Sequence, residues 1–144
     1  HRDLHLSLRR QRQMCIRDRQ ITEGVKISVQ SNFECSYFDG KGLRFGFNYF
    51  IEIENNNSHP VQLISRKWTI LDALNENEIV KGEGVVGKQP IIQPFESYRY
   101  NSGCALQGPM GCMKGVYNML RLSDNHEFEV TIPNFRLCAD FAQN

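Results

Sequence analysis

The sequence lacks the long apolar run that a membrane-spanning helix needs, and it lacks a signal peptide with a hydrophobic core. It also has no C-x-x-C pair, and its cysteines are odd in number: Cys15, Cys35, Cys104, Cys112 and Cys138. Neither a disulfide framework nor a zinc ribbon is therefore predicted. Free, reduced thiols are typical of cytoplasmic proteins. We accordingly expect a cytoplasmic protein without membrane contact.

Histidine is scarce, and after residue 20 it occurs only at His59 and His126, each within a turn-forming sequence. A nucleophilic cysteine or serine needs a base beside it, and two solvated turn histidines do not supply one. The carboxylates of Glu52 and Glu54 are two residues apart, which is typical of the solvent-facing side of a strand. The sequence thus predicts no catalytic residue, no metal site and no cofactor. Enzyme activity is not expected, and a hydrolase is the least favoured of the alternatives.

Positive charge is concentrated at the start of the chain. Residues 1–20 contain six arginines and two aspartates, whereas the remaining residues carry more acidic than basic side chains. An arginine-rich opening is typical of nucleic-acid arms and of targeting peptides. Its run QMCIRDR, however, resembles the translation of a sequencing-library adapter, so we treat residues 1–20 as a non-native or disordered leader. We expect one domain over residues 21–144 and no nucleic-acid binding.

Alternating apolar and polar residues predict β-strands in the first half of the chain. Residues 25–29 and residues 45–53 show this alternation. Between them, residues 33–42 contain Asp39-Gly40, a strong hairpin signal, and are predicted to be a turn region.

The next predicted strand carries the only tryptophan. Val61 and Leu63 face the core on odd positions, whereas Trp68 and Ile70 do so on even positions. A β-bulge produces such a slip of one residue, and we predict one near residues 65–67. Trp68 is then buried between two sheets, as is the core tryptophan of immunoglobulin-type sandwiches.

The C-terminal half alternates between irregular and strand-like stretches. Residues 102–111 hold three glycines and a proline and are predicted to be a loop. Residues 113–122 and 127–137 are predicted strands, the second interrupted by Pro133 as edges and bulges allow. Short strands separated by turn signals, without a helical period, predict an all-β fold, an antiparallel β-sandwich of about seven to nine strands.

Residues 82–87 contain the G-x-G-x-x-G pattern of dinucleotide-binding sites. That fingerprint needs a helix that starts within it, and Pro90 and Pro94 follow too soon for one to form. We therefore interpret the glycines as a tight connection between β-strands, with residues at positive φ. Because Lys81 and Lys88 flank it, the same backbone could alternatively form a nest of amides for an anion such as phosphate or pyrophosphate.

Four ordered blocks of this sequence resemble the ApaG family. They are GEGVVGKQP from Gly82, SGC from Ser102, GPMGCMKGVYNM from Gly108, and FEVTIPNFRL from Phe128. The spacing matches from about residue 21 to the C-terminus. ApaG proteins are small β-sandwiches similar to fibronectin type III domains, which implies that fold here. One departure lies at Phe95, where Pro-Gly-Glu is usual, and it bears on the geometry of that turn.

The resemblance also implies a class of function. The family is described in connection with cobalt resistance and magnesium efflux, and its domain recurs in larger eukaryotic proteins, including F-box proteins, where it looks like a recognition module. We therefore predict a protein-interaction module with an unknown protein partner, and an exposed edge strand would permit a homodimer. The alternative is a protein linked to an anion or to Co²⁺ and Mg²⁺ homeostasis.

The candidate binding residues lie in the two most distinctive blocks, since irregular loops on a rigid sandwich often carry binding residues. We expect residues 82–88 and the predicted loop at residues 102–111 to present one working surface. Cys104 and Cys112, which bracket that loop, could also meet as a redox pair or as metal ligands. The candidates are Gly82, Gly84, Gly87, Lys88, Gln89, Pro90, Cys104, Pro109 and Met113.

Overall fold

The computed structural model of the chain describes residues 18–139, which form nine β-strands. Within that range there is no helix long and apolar enough to cross a membrane. The strands are β1 (Asp18–Thr22), β2 (Val25–Phe38), β3 (Leu43–Asn55), β4 (Val61–Asp72), β5 (Glu78–Glu83), β6 (Ile91–Ile92), β7 (Ser97–Leu106), β8 (Met110–Arg121) and β9 (His126–Cys138).

The strands form two antiparallel sheets. The first sheet has the order β1-β2-β3-β7, and the second has the order β5-β4-β8-β9, with β6 paired to the start of β4. The chain crosses between the sheets after β3, after β6 and again after β7. The predicted all-β fold, an antiparallel sandwich of seven to nine strands, is confirmed.

The core lies between the inward faces of the two sheets. Trp68 of β4 is 3% exposed, and its ring centroid lies 5.7 Å from that of Tyr49 in the opposite sheet and 5.8 Å from that of Phe135. A Cβ at Gly115 would lie 2.9 Å from the Trp68 ring, so the glycine leaves the space that the indole fills. The predicted burial of Trp68 between the sheets is confirmed. The alternation predicted for β3 is confirmed too, because its buried side chains are Phe45, Phe47, Tyr49, Ile51 and Ile53.

A β-bulge shifts the inward face of β4. The register between β4 and β8 slips between Leu63 and Ser65, slightly before the predicted residues 65–67. Leu63 is buried on one side of the slip and Trp68 on the other, as the change of parity requires. The slip also gives Arg66 the parity of Trp68, so an arginine lies on the inward face.

The predicted turn at residues 33–42 is wrong in extent. Strand β2 continues to Phe38, and a register shift between Phe33 and Cys35 lets this irregular stretch remain paired with β3. Only residues 39–42 form the turn, where the Asp39 carboxylate accepts hydrogen bonds from the amides of Lys41 and Gly42.

The predicted loop at residues 102–111 is also wrong. Most of it belongs to β7 and β8, and only residues 107–109 connect them. Gly103 and Gly111 are strand residues at places where a neighbouring backbone comes close. A Cβ at Gly103 would lie 3.0 Å from the carbonyl oxygen of Phe47, and one at Gly111 would lie 2.4 Å from that of Leu71. Here glycine permits close approach of two strands and does not mark a turn.

Strand β1 begins before the predicted domain boundary at residue 21. Residues 18–20, assigned above to the leader, pair with β2 in the first sheet. The rest of that leader, residues 1–17, lies outside the described residues.

Truncating Trp68 should be severely destabilising, because no neighbour can fill the volume that the indole leaves. We expect Trp68→Ala to lower the free energy of unfolding by about 3 to 5 kcal/mol, measured by urea denaturation followed by circular dichroism. The unmodified protein should show the blue-shifted tryptophan emission of a buried indole. An emission maximum typical of tryptophan in water would contradict the packing described.

Strain in the turn before β7 gives a second expectation. Phe95 has φ +62°, and its amide donates to the carbonyl oxygen of Asn55. Phe95 is 71% exposed, so the core does not need its side chain. We expect Phe95→Gly to raise the free energy of unfolding by roughly 0.5 to 1 kcal/mol, because glycine adopts this φ without a Cβ clash. Phe95→Ala is the control: it keeps the strain and should be nearly neutral. Equal stabilisation by both variants would show that the exposed ring, not the backbone, is unfavourable.

Candidate functional site

The glycine connection, residues 82–88, joins the end of β5 to the segment before β6. Val85 and Lys88 exchange backbone hydrogen bonds of 2.8 and 3.0 Å, which closes a two-residue turn. Gly84, Val86 and Gly87 have φ of +61°, +48° and +75°. The connection is therefore the tight, positive-φ link between strands that the sequence predicts, and it contains no helix.

Arg66 holds the glycine connection from the inward side of β4. Its Nη1 donates to the carbonyl oxygens of Glu83 at 3.1 Å and Gly84 at 2.7 Å. Gly82 lies directly against the guanidinium, since a Cβ at Gly82 would be 2.9 Å from its atoms. The first glycine of the motif thus makes room for an arginine side chain.

The second glycine makes room for a carbonyl group. A Cβ at Gly84 would lie only 2.0 Å from the carbonyl oxygen of Lys88. The Gly84 amide and the Gln89 side-chain amide both donate to the carbonyl oxygen of Ile64, at 2.8 and 2.9 Å. Pro90 contributes as well, because its carbonyl oxygen accepts from the Leu63 amide at 3.0 Å. Gln89 and Pro90 therefore attach the connection to the bulged part of β4.

An anion nest needs backbone amides that are free to converge on the ligand. The amides of Gly84, Val85 and Lys88 instead donate to carbonyl oxygens within the protein. The geometry of the connection thus favours a structural use of these three groups.

The other candidate residues lie elsewhere. Cys104 of β7 and Met113 of β8 face each other across the sheets, with Sγ 3.7 Å from Sδ, and Met113 is 1% exposed. Burial raises the pKa of Cys104 to about 12, so its thiol stays protonated and unreactive at neutral pH. Cys112 is a separate, partly exposed free thiol. Pro109 lies in the link between β7 and β8. The structure thus brings together the six candidates from residues 82–90 and, separately, Cys104 with Met113.

A polar network between the sheets was missed by the sequence analysis. The hydroxyls of Tyr100 and Tyr117 hydrogen-bond to each other, joining β7 to β8. Burial raises the pKa of both hydroxyls well above the ordinary tyrosine value, so both remain neutral. Burial also raises the pKa of Tyr49, and a hydrogen bond with the side chain of Ser102 offsets part of that rise. Strand parity was the available signal, because Tyr100 and Ser102 alternate with exposed residues along β7.

Asp72 organises the end of the sandwich where the chain passes from β7 to β8. Its carboxylate accepts from the amides of Gln107 at 2.7 Å and Gly108 at 3.0 Å, and from the amide of Leu74 at 3.0 Å. One side chain thereby fixes both the crossing between the sheets and the turn after β4. This arrangement shapes the cleft beside it.

The cleft has a volume of about 230 Å³ and lies between the β2–β3 turn, the β4–β5 turn and the end of β7. Its acidic lining residues are Asp39, Asp72, Glu76 and Glu78, and its basic one is Arg44. Tyr37 lines the cleft, and the connections that form it carry further exposed apolar side chains: Phe38, Leu43, Leu74 and Met110. We call this surface the cleft end. Of the candidates chosen from the sequence, none lines the cleft end, and only Pro109 lies beside it, in the link after β7.

Alanine substitutions should separate the roles of the motif glycines. Gly84→Ala should cost roughly 2 kcal/mol or more of unfolding free energy, since it adds a clash to an unfavourable φ. Gly87→Ala should cost only about 1 kcal/mol, because its Cβ would meet open space and only the φ is unfavourable. Urea denaturation measures both. Equal costs would mean that the contact with Lys88 is unimportant.

Comparison with known proteins agrees with this fold. The family model of the ApaG domain matches residues 36–121. The chain is 44% identical over 117 residues to Protein ApaG of Anaeromyxobacter dehalogenans, covering 81% of this chain and 91% of that protein. It is 46% identical over 114 residues to Protein ApaG of Maricaulis maris, covering 79% and 87%.

A solved structure shows the same architecture. A Bordetella pertussis protein named ApaA superposes with a TM-score of 0.74 at 35% identity, covering 86% of this chain and 97% of that one. The extent of the family match and the identity to full-length relatives agree with the four sequence blocks, and this chain belongs to the ApaG family.

Proposed function

We propose that this chain is a protein-interaction module that binds its partner at the cleft end. The observation that carries the proposal is that the connections forming one cleft carry several exposed large apolar side chains. Phe38 and Leu74 are 79% and 68% exposed, and Tyr37, Leu43 and Met110 are also exposed. Contiguous exposed apolar side chains with a polar surround are typical of protein-binding surfaces. Loops at one end of a sandwich are also common binding positions.

The charges of the cleft indicate the chemistry of the partner. Arg44 pairs with Asp39 at 3.0 Å, and the Lys41 amide and Arg44 hold the pKa of that carboxyl below its usual value. Asp72 is held by backbone amides, so the exposed carboxylates of Glu76 and Glu78 are left to face a partner. We infer a partner segment that combines apolar side chains with at least one lysine or arginine.

This proposal involves no catalytic residue and no cofactor. It also places the protein in the cytoplasm, in keeping with Cys35, Cys104, Cys112 and Cys138, which are free thiols. The alternative function, a protein linked to an anion or to Co²⁺ and Mg²⁺ homeostasis, has less support. Three amides of the glycine connection that such an anion could use, those of Gly84, Val85 and Lys88, already donate to carbonyl oxygens.

Selection from a random peptide library displayed on phage tests the proposal without a known partner. We expect the chain to enrich peptides that pair apolar residues with lysine or arginine. The double variant Glu76→Lys/Glu78→Lys should bind these peptides about tenfold more weakly, because two attractive charges become repulsive. Phe38→Ser should weaken binding of the same peptides because apolar contact is lost. Because the Phe38 side chain is exposed, the melting temperature of this variant should be unchanged.

The matched control is Glu127→Lys/Glu129→Lys, which reverses two exposed carboxylates on β9, away from the cleft. It should bind the selected peptides as tightly as the unmodified chain. Equal weakening by both double variants would mean that net charge, not the cleft, drives binding, and would overturn the proposal. A melting shift with pyrophosphate, Co²⁺ or Mg²⁺, with no peptide enrichment, would favour the alternative function.

A further inference from the structure

The edges of the two sheets differ in how well they are protected from pairing with another strand. Strand β1 is only five residues long. Strand β9 contains Pro133 and is partly covered by β1, since the Thr131 amide donates to the Thr22 hydroxyl at 3.4 Å. Strand β5 is short and carries charges at Glu78, Lys81 and Glu83. Short length, charge, proline and coverage are all features that block edge pairing.

Strand β7 lacks most of these features. It is ten residues long, contains no proline, and pairs with β3 in an unbroken register, without the shifts found in β2 and β4. Its single charged residue, Arg99, is ion-paired with Glu52 of β3. Among the described strands only β3 pairs with β7, so a long row of backbone donors and acceptors lies along its other side.

We propose that β7 pairs antiparallel with β7 of a second copy of this chain. The pairing would join two β1-β2-β3-β7 sheets into one continuous sheet across a two-fold axis. Such an axis makes the interface self-complementary, so the same strand supplies both halves. The inference rests on the free edge of β7 and not on the charges of the cleft end, although Ala105 and Leu106 at the end of β7 also line the cleft.

The register follows from strand parity. Opposed residues of an antiparallel pair lie on the same face of the sheet. The two-fold axis must therefore pass between the two copies of one residue, so that the inward faces of both strands stay on the same side. An axis at Asn101 overlaps almost all of both strands. It sets Arg99 opposite Gly103 and Ser97 opposite Ala105, and no charge faces its own copy.

The charges also explain why a second copy fits better than a charged peptide. Glu52 already neutralises Arg99, so β7 offers no charge to recognise such a peptide. A neutral strand that opposes itself leaves no charge unpaired. The partner that matches β7 is therefore β7 itself.

Opposite charges placed at Asn101 test this pairing. Asn101 is exposed, so Asn101→Lys and Asn101→Glu should fold normally, as a circular dichroism melt will check. Each variant alone places like charges at the axis, and its dimer dissociation constant should rise at least about tenfold in analytical ultracentrifugation. An equimolar mixture of the two should recover the dimer as a heterodimer. Asn134→Lys and Asn134→Glu, at an exposed position on β9, are the matched controls and should dimerise like the unmodified chain.

Three results would overturn the inference. The unmodified chain could sediment as a monomer at every concentration up to about 0.5 mM. It could form a dimer that neither Asn101 variant weakens. Finally, both variants could be monomeric and remain so when mixed, which would show that position 101 does not face its own copy.

Discussion

The contact of Trp68 with Tyr49 joins the two sheets at their centre, and the rest of the structure depends on the parity that allows it. The bulge in β4 turns Trp68 inward and leaves Gly115 opposite as the space for its ring. The same slip turns Arg66 inward, where it binds the carbonyl groups at the start of the glycine connection. One extra residue in one strand thus determines both the orientation of the core tryptophan and the anchor of the glycine connection.

The glycine motif illustrates how one pattern can serve different physics. In a dinucleotide site its glycines serve a turn into a helix and the close approach of a pyrophosphate. In this chain Gly82 accommodates a guanidinium, Gly84 accommodates a carbonyl group, and Gly87 supplies a positive φ at a two-residue turn. The glycine spacing alone does not distinguish these cases. Pro90 and Pro94, which follow it, do, because they prevent a helix from starting there.

How well the sequence predicted each feature depended on how far apart in the sequence the interacting residues lie. Alternation gave β3 and Trp68 correctly because burial of a sandwich strand is a local pattern. It failed at Gly103 and Gly111, since glycine at a close strand contact and glycine in a loop look alike in one sequence. The role of Asp72 could not be assigned, because two of its three amide partners are 35 and 36 residues away. The cleft end was invisible for the same reason, as three separate connections assemble it.

The order in which the chain crosses between the sheets has a consequence for its synthesis. Strand β3 can complete its pairing only after β7 has been synthesised, because Phe45 pairs with Leu106. Strand β4 likewise needs β8, because Val61 pairs with Arg121. Neither sheet can therefore close around the core while the ribosome has released only the N-terminal half. Such non-local pairing is intrinsically slow, because distant segments must meet before any contact rewards them. The nascent chain consequently remains without its core until nearly all of the domain has emerged.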